Sequence, residues 1–419
     1  LGRRDILSWH DGEKATVIGG IILAGIFLGI YICLIPFIWD FSTLRTSTGL
    51  PLAADFSNFW AASKLALSGK PALAYNIDAL HGLELQVLGA SHRNLSGFYY
   101  PPVFLMVVLP LGLIPYLLSF SIWIGITLLL YMIVLSRISP RQLLMPLMLL
   151  FPGMYENFIF GQNAFLSGFM LGGGLLLLNS SPLLAGCLIG FLCYKPQFIF
   201  LVLFALLVGR FWKALIAAII TSLILLYFSF IIFGYDVWLA YFKVMSLPMK
   251  LLEIGWAAWS IMPTFFAATL SAGFDVKAAY LVQGVVMLLV IGGVAWAWMR
   301  KTNLALRGSV LVLGLLLFTP YAFVYELALL ALPLCWLWED GRLRGRLPGE
   351  LILLLCGWLM PLAVPFIWNS VNFLNGKLQI GPVVLLALFV FALTKEKTRT
   401  WTVGKISPEI GEPSAVKHL

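Results

Sequence analysis

Long apolar runs recur along this chain, broken by short polar segments, and their length and spacing predict helices from end to end. Residues 16–38 carry no charge over 23 positions, and a helix crosses bilayer hydrocarbon with about 20 apolar residues. Further spans are predicted near 118–136, 142–159, 164–178, 182–193, 197–209, 213–233, 277–299, 303–318, 321–338, 350–367 and 379–394, about twelve in all. A cleaved leader does not explain 16–38, because the apolar run is too long and many similar runs follow. The expected fold is therefore an all-α polytopic membrane protein. It forms one transmembrane domain over 1–394, with a large first extracytoplasmic loop at 39–117 and a disordered cytoplasmic tail at 395–419.

The polar breaks set the orientation, because basic loops stay in the cytoplasm. With both termini inside, the cytoplasmic segments carry 18 Lys/Arg against 9 Asp/Glu, and the outer segments carry 9 against 9. Counting 103–114 as a full span would put Arg137 and Arg141 outside and reverse everything after them. That short apolar stretch is expected instead as a re-entrant or surface helix on the outer side, and 256–270 likewise. Spans 182–193 and 197–209 are short and meet at Tyr194-Lys195-Pro196-Gln197. A polar turn between two short helices predicts a cavity cut into the bilayer from outside, since irregular backbone at that depth must line water or lie within protein.

Composition agrees. The chain is 61% hydrophobic and 11% charged, against about 25% charged in soluble proteins, which excludes an ordinary soluble domain. Loop asymmetry accounts for the net charge of +9, so nucleic acid is not an expected partner. The five cysteines sit in apolar runs without metal or disulfide spacing. No metal site and no cofactor are expected.

The residues able to do chemistry gather on the outer side. Asp55, in Ala54-Asp55-Phe56-Ser57-Asn58, suits the N-cap of a surface helix over 56–68 ending at Gly69. It equally suits a general base, and the roles are compatible. Tyr99 and Tyr100 precede Pro101-Pro102; they fit an interfacial aromatic belt or stacking on a polar substrate. Asn163 can cap the helix that begins near Ala164, whereas Gln162 has less structural reason to be polar. Lys195 is the most costly residue in its setting: it snorkels to the outer surface or binds an anion such as a phosphate. Glu326, in Thr319-Pro320-Tyr321-Ala322-Phe323-Val324-Tyr325-Glu326, serves a helix dipole, pairs with Lys195 or meets substrate, and the sequence leaves these open. Gly172-Gly173-Gly174 is expected to allow close helix packing.

These stations together resemble glycosyltransferase family 87, membrane mannosyltransferases of the GT-C fold class. The matching pieces are ADFSNFWAASKLALSGKPALAY (54–75), YYPPVF (99–104), GQNAFLSGFMLGGGLLLL (161–178), SPLLAGCLIGFLCYKPQFIFLVLFALLVGRFWKAL (181–215) and TPYAFVYELALLALPL (319–334). The likeness runs over roughly 50–340 and is densest at 161–215. It implies transfer of a sugar, by family a mannose, from a polyprenyl-phosphate donor to a lipid or glycan acceptor at the outer face of a bacterial inner membrane. By the same resemblance Asp55 takes the place of the family's catalytic acid. Glu326 departs from the family, which more often has Asp after the tyrosine.

The expected chemistry is an inverting, metal-independent displacement. Asp55 takes a proton from the acceptor hydroxyl, and Lys195, with Tyr194 or Gln197, holds the donor phosphate. Asn58, Tyr99, Tyr100, Gln162, Asn163, Tyr321, Tyr325 and Glu326 are further candidates for substrate contact. A transporter or lipid flippase would also explain a membrane cavity with a Lys195–Glu326 pair, but no repeated half accompanies it. A non-catalytic scaffold leaves the cost of Lys195 unexplained.

Overall fold

A computed structural model describes residues 53–88, 97–140, 144–255, 259–300, 303–370 and 379–406, together with 39–40, 45–46 and the single positions 19, 22 and 25. The expected span at 16–38 lies outside the described residues apart from those three positions. Apart from a two-residue antiparallel pair, Trp39–Asp40 with Arg45–Thr46, the described elements are helices. Three are long and apolar enough to cross a bilayer, Tyr116–Ile138, Trp212–Phe233 and Val276–Met299. Shorter apolar helices include Pro102–Leu113, Ala164–Leu177, Pro182–Tyr194, Pro196–Val208 and Leu304–Phe318.

Prolines and caps explain most boundaries. Helices begin with Pro at their first positions at Pro102, Pro152, Pro182 and Pro196, where a missing N–H costs nothing. Asp275 caps Val276–Met299 by accepting from the Ala278 amide at 2.8 Å. Two expected spans are broken. Residues 142–159 form Leu144–Leu149 and Pro152–Phe160 instead of one helix. Phe151, with ψ 123°, takes the extended conformation that a following proline imposes. The region 321–338 starts as a tight 3₁₀ turn at Val324–Leu330 before Ala331–Arg344. Pro333 has no N–H to return to the Leu329 carbonyl, so shorter i→i+3 bonds take over.

The apolar stretch after Pro102 is short, as expected, but it does not lie on the surface: Val103, Phe104, Leu105 and Val108 are buried. The Ser63 hydroxyl donates to the Val108 carbonyl at 2.9 Å, tying this stretch to the helix Ala54–Leu67. The glycine run packs closely as predicted; a Cβ on Gly172 would meet Val134 and Leu332 at 2.7 Å. The final helix, Gly381–Ile406, runs past Lys395 into the segment read from sequence as tail.

Tyr116–Ile138 spans the molecule between two polar clusters. At its start Tyr116 donates to the Ala53 carbonyl at 2.9 Å, and just past its end Ser139 donates to Glu339 Oε1 at 2.5 Å. Its 23 residues separate the clusters by about 34 Å at 1.5 Å per residue, close to the hydrocarbon thickness of a bilayer. Around Glu339 meet Arg342 at 2.9 Å, Asn303 on Asp340 at 3.1 Å, and Lys395 on Asp340 and Glu350 at 3.0 and 2.5 Å. Four segment ends assigned to one side by charge thus meet at one end of the helices.

Candidate active site

The site lies at the opposite end and starts with a strained turn. Ala53 adopts φ 57°, a left-handed conformation that costs a non-glycine residue about 1–2 kcal/mol. Three bonds hold it there: its amide to the Ile159 carbonyl at 2.9 Å, and its carbonyl to the Ser57 amide at 3.1 Å and the Tyr116 hydroxyl at 2.9 Å. This turn launches Ala54–Leu67 beside Pro152–Phe160. The N-cap position therefore belongs to Ala53, not to Asp55. Asp55 lies in the first turn, and its side chain is free to face another element. Gly69 does end the helix as expected, at φ 76°.

Gly161 completes the junction. Its φ is 69°, and a Cβ there would sit 2.5 Å from Phe56 Cβ and 3.3 Å from Ala53 Cβ. Only glycine allows both the left-handed turn and the approach, and the approach places Gln162 against Asp55. Gln162 Nε2 donates to Asp55 Oδ2 at 2.8 Å, and Tyr100 donates its hydroxyl to Gln162 Oε1 at 3.1 Å. The Tyr75 hydroxyl anchors Tyr100 by donating to its carbonyl at 3.0 Å. Gly161→Ala is expected to lower activity about 10²-fold, the scale of a misplacement of about 1 Å. Turnover per mole of folded protein checks this, and parental turnover would contradict the role given to the Gly161 turn.

Asp55 is partly buried, and burial pushes its carboxyl up to about 6, against the Gln162 bond that pulls it down. A carboxylate so placed is both basic and ionised near neutral pH.

Near Asp55, across Tyr100 and Tyr325, lies a buried ion pair. Lys195 and Glu326 are 1% and 7% exposed, and Lys195 Nζ donates to Glu326 Oε1 at 2.6 Å. This decides among the sequence readings of both residues: Lys195 does not snorkel, and Glu326 is its partner. The Phe198 ring lies 5.1 Å from the ammonium. Tyr194 points its hydroxyl at Ser167, 2.8 Å away, and stacks on Phe104 at 4.9 Å, with its ring 6.4 Å from that of Tyr100. Tyr325 lies within electrostatic range of Asp55, Tyr100, Tyr321 and Glu326, and Tyr321 within range of Asp55 and Tyr99. Nearly all the outer-side candidates thus converge on one place.

The capping role read for Asn163 does not hold. It is the Asn157 Oδ1 that accepts from the Ala164 amide, at 3.0 Å, because the turn at Gly161 brings Asn157 to that helix start. Asn163 is fully buried beside Tyr100. Its amide lies within hydrogen-bonding reach of the Tyr100 hydroxyl, and among the described residues Glu326 Oε2 has no hydrogen-bond partner. Buried polar atoms are normally paired, which sets Glu326 Oε2 apart from its surroundings. Asn58 is buried one turn beyond Asp55. Gln197 is only partly buried, and among the described residues no hydrogen bond joins it to the cluster.

Sequence reasoning missed Glu84 and Ser57. Glu84 is fully buried on the helix Ile77–Leu88, where Leu80, Glu84 and Leu88 form the buried stripe. An acid on an apolar i, i+4, i+8 stripe was the available signal. The Ser57 hydroxyl lies 2.7 Å from Glu84 Oε1, and burial, with a further push from the Asp55 charge, raises the Glu84 carboxyl to about 8 despite that bond.

Fold and site define a helical membrane protein with a partly buried carboxylate, Asp55, near a buried ammonium–carboxylate pair. The profile of glycosyltransferase family 87 matches residues 98–320, more than half of the chain, and the chain belongs to that family. It is accordingly a membrane glycosyltransferase, with a sugar donor and an acceptor as substrates. The matched region contains Tyr99, Tyr100, Gln162, Asn163, Tyr194, Lys195 and Gln197, and leaves Asp55, Tyr321, Tyr325 and Glu326 outside it. No curated protein and no solved structure matches the chain.

Proposed function

We propose that the protein transfers a hexose, mannose by family likeness, from a polyprenyl-phosphate donor to a lipid or glycan acceptor, with inversion. The fold is of the GT-C type with about twelve spans, and the reaction takes place at the extracytoplasmic face. The observation that carries the catalytic reading is the Asp55 carboxylate, oriented by Gln162 and Tyr100 within electrostatic range of the residues around the Lys195–Glu326 pair.

In this mechanism the acceptor hydroxyl gives its proton to Asp55 as its oxygen attacks the anomeric carbon. The bond from that carbon to the phosphate oxygen breaks, and the phosphate leaves with the electron pair. A single base serves an inverting displacement, because retention by double displacement needs a second protein nucleophile. Lys195 has three N–H donors, and its bond to Glu326 fixes the ammonium while leaving donors for the departing phosphate. Such preset charge acts most strongly where water is excluded. The unpaired Oε2 of Glu326 suits a sugar hydroxyl, with the Asn163 amide beside it.

The test is sugar transfer from a radiolabelled polyprenyl-phosphate sugar by purified, detergent-solubilised protein. Transfer is expected to fall about tenfold per pH unit below about 6, where Asp55 takes up a proton. A rate that stays flat down to pH 4.5 would exclude Asp55 as the base. Flux of the intact donor across vesicles without bond cleavage would exclude the enzymatic reading altogether.

A further inference from the structure

Arg307 lies in the first turn of Leu304–Phe318, at the end of the helices opposite the active site, where Asn303 donates to Asp340. Its backbone is pinned, because Trp298 Nε1 donates to the Arg307 carbonyl at 3.1 Å. The half-buried side chain places its guanidinium beside two rings, Phe211 at 5.5 Å and Trp298 at 5.8 Å. Those rings meet edge to face. The turn that carries Phe211 presses on Trp298 so closely that a Cβ on Gly209 would sit 2.8 Å from the indole. The aromatic walls hold the cation by its charge and leave its N–H donors unspent. Among the described residues the Arg307 side chain makes no hydrogen bond and no ion pair, and its Nε is buried. Glu396, next to Lys395 on Gly381–Ile406, lies within electrostatic range of Arg307. The two do not touch, and among the described residues Glu396 Oε2 is likewise buried without a partner. Lys395 is committed to Asp340 and Glu350. Apolar surface borders the two charges: Leu207 and Trp212 flank the Gly209–Phe211 turn, Met299 follows Trp298, and all three are exposed.

We propose that Arg307 and Glu396 form a binding site for the headgroup of an aminophospholipid in the leaflet opposite the active site. The lipid phosphate accepts from Arg307, and the primary ammonium donates to Glu396. A guanidinium presents Nε and a terminal nitrogen as parallel donors, an edge that fits two oxygens of one phosphate. Basic pockets between membrane helices suit lipid headgroups, and here an acid beside the base narrows the choice. A purely anionic headgroup would satisfy the arginine but bring like charge to Glu396 and leave it unpaired. A choline headgroup carries positive charge but has no N–H to donate. An ammonium on a short linker from the phosphate answers both groups, which lie near each other without touching. The acyl chains then run along Leu207, Trp212 and Met299, the exposed apolar side chains of the same segments.

Thermal unfolding of the purified full chain in detergent micelles tests the site, with one phospholipid titrated at a time. Phosphatidylethanolamine is expected to raise the unfolding temperature saturably, since a ligand of the folded state stabilises it. Phosphatidylglycerol and phosphatidylcholine with the same chains should bind about tenfold more weakly, the equivalent of one lost charge-assisted hydrogen bond. Arg307→Gln should weaken phosphatidylethanolamine by at least about tenfold on the same reasoning. Glu396→Met should still respond but bind the three lipids alike. Arg137→Gln removes a charge from an exposed residue at the same end of the helices and should titrate like the parent. An equal response of the parent to all three lipids, or no response, overturns the site. So does a parental preference retained in Glu396→Met, or a preference lost in Arg137→Gln, which would assign the effect to general surface charge. If Arg307→Gln does not fold, Arg307→Lys takes its place, because it keeps the charge and loses the two-donor edge; a titration unchanged from the parent then overturns the role of Arg307. Sugar transfer is not the readout, so the result stands apart from the proposed function.

Discussion

Asp55→Asn is expected to reduce sugar transfer by about 10²–10⁴-fold, the usual contribution of a positioned general base. The substitution removes a proton acceptor without changing the shape of the side chain. Its amide oxygen can still accept from Gln162 Nε2, which now holds Asp55 at 2.8 Å. The helix keeps Ala53, Ser57 and their backbone bonds, so membrane insertion and thermal stability should match the parent. The decisive comparison is the rate per folded molecule at saturating donor and acceptor. A rate within threefold of the parent would move the base elsewhere, with Glu326, close to the same tyrosines, as the next carboxylate to consider.

The second large effect concerns the Lys195–Glu326 pair. Glu326→Ala is expected to destabilise the protein by about 3–5 kcal/mol, because it leaves the ammonium of Lys195 buried without its counter-charge. Among the described residues, the Phe198 ring, 5.1 Å away, remains as partial compensation. Replacing both residues, as Lys195→Met with Glu326→Leu, should recover most of that loss, since an apolar pair of similar volume replaces a buried ion pair at little cost. The double variant should nonetheless transfer no sugar, because nothing then stabilises the leaving phosphate. Thermal unfolding in detergent and the transfer assay read the two outcomes separately. A Glu326→Ala protein as stable as the parent would mean that Lys195 finds another partner. Transfer by the double variant would remove Lys195 from the chemistry.

How much of this could be read from the sequence differs by residue. Lys195 stood out because a cation between two apolar helices must be explained wherever it lies, and the cost of burying it does not depend on the fold's details. Its partner did not stand out in the same way. Glu326 follows it by 131 positions, and nothing local says which distant helix end meets the Tyr194–Gln197 turn. Asp55 was visible as an acid at a helix start, but its N-cap role was wrong because that reading assumes ordinary backbone before the helix. Ala53 takes a conformation for which alanine gives no signal. Glu84 was legible in principle, as an acid on a buried stripe, yet its contact with Ser57, 27 residues earlier, was not. The span at 142–159 failed for a different reason: hydropathy measures how apolar a stretch is and does not register the break that Pro152 imposes.

The amide of Gln162 has a consequence for the carboxylate it touches, the base of the proposed reaction. A free carboxylate has two equivalent oxygens, and an acceptor could approach either. Tyr100 occupies the carbonyl end of the Gln162 amide, which turns its nitrogen toward Asp55 and onto Oδ2 alone. That oxygen shares its electron density with a donor and becomes the poorer proton acceptor. Oδ1 is left as the basic atom, so the symmetry of the group is broken. In the proposed reaction the acceptor hydroxyl then has one carboxylate oxygen to approach, and that choice is made by a glutamine that takes no proton at all.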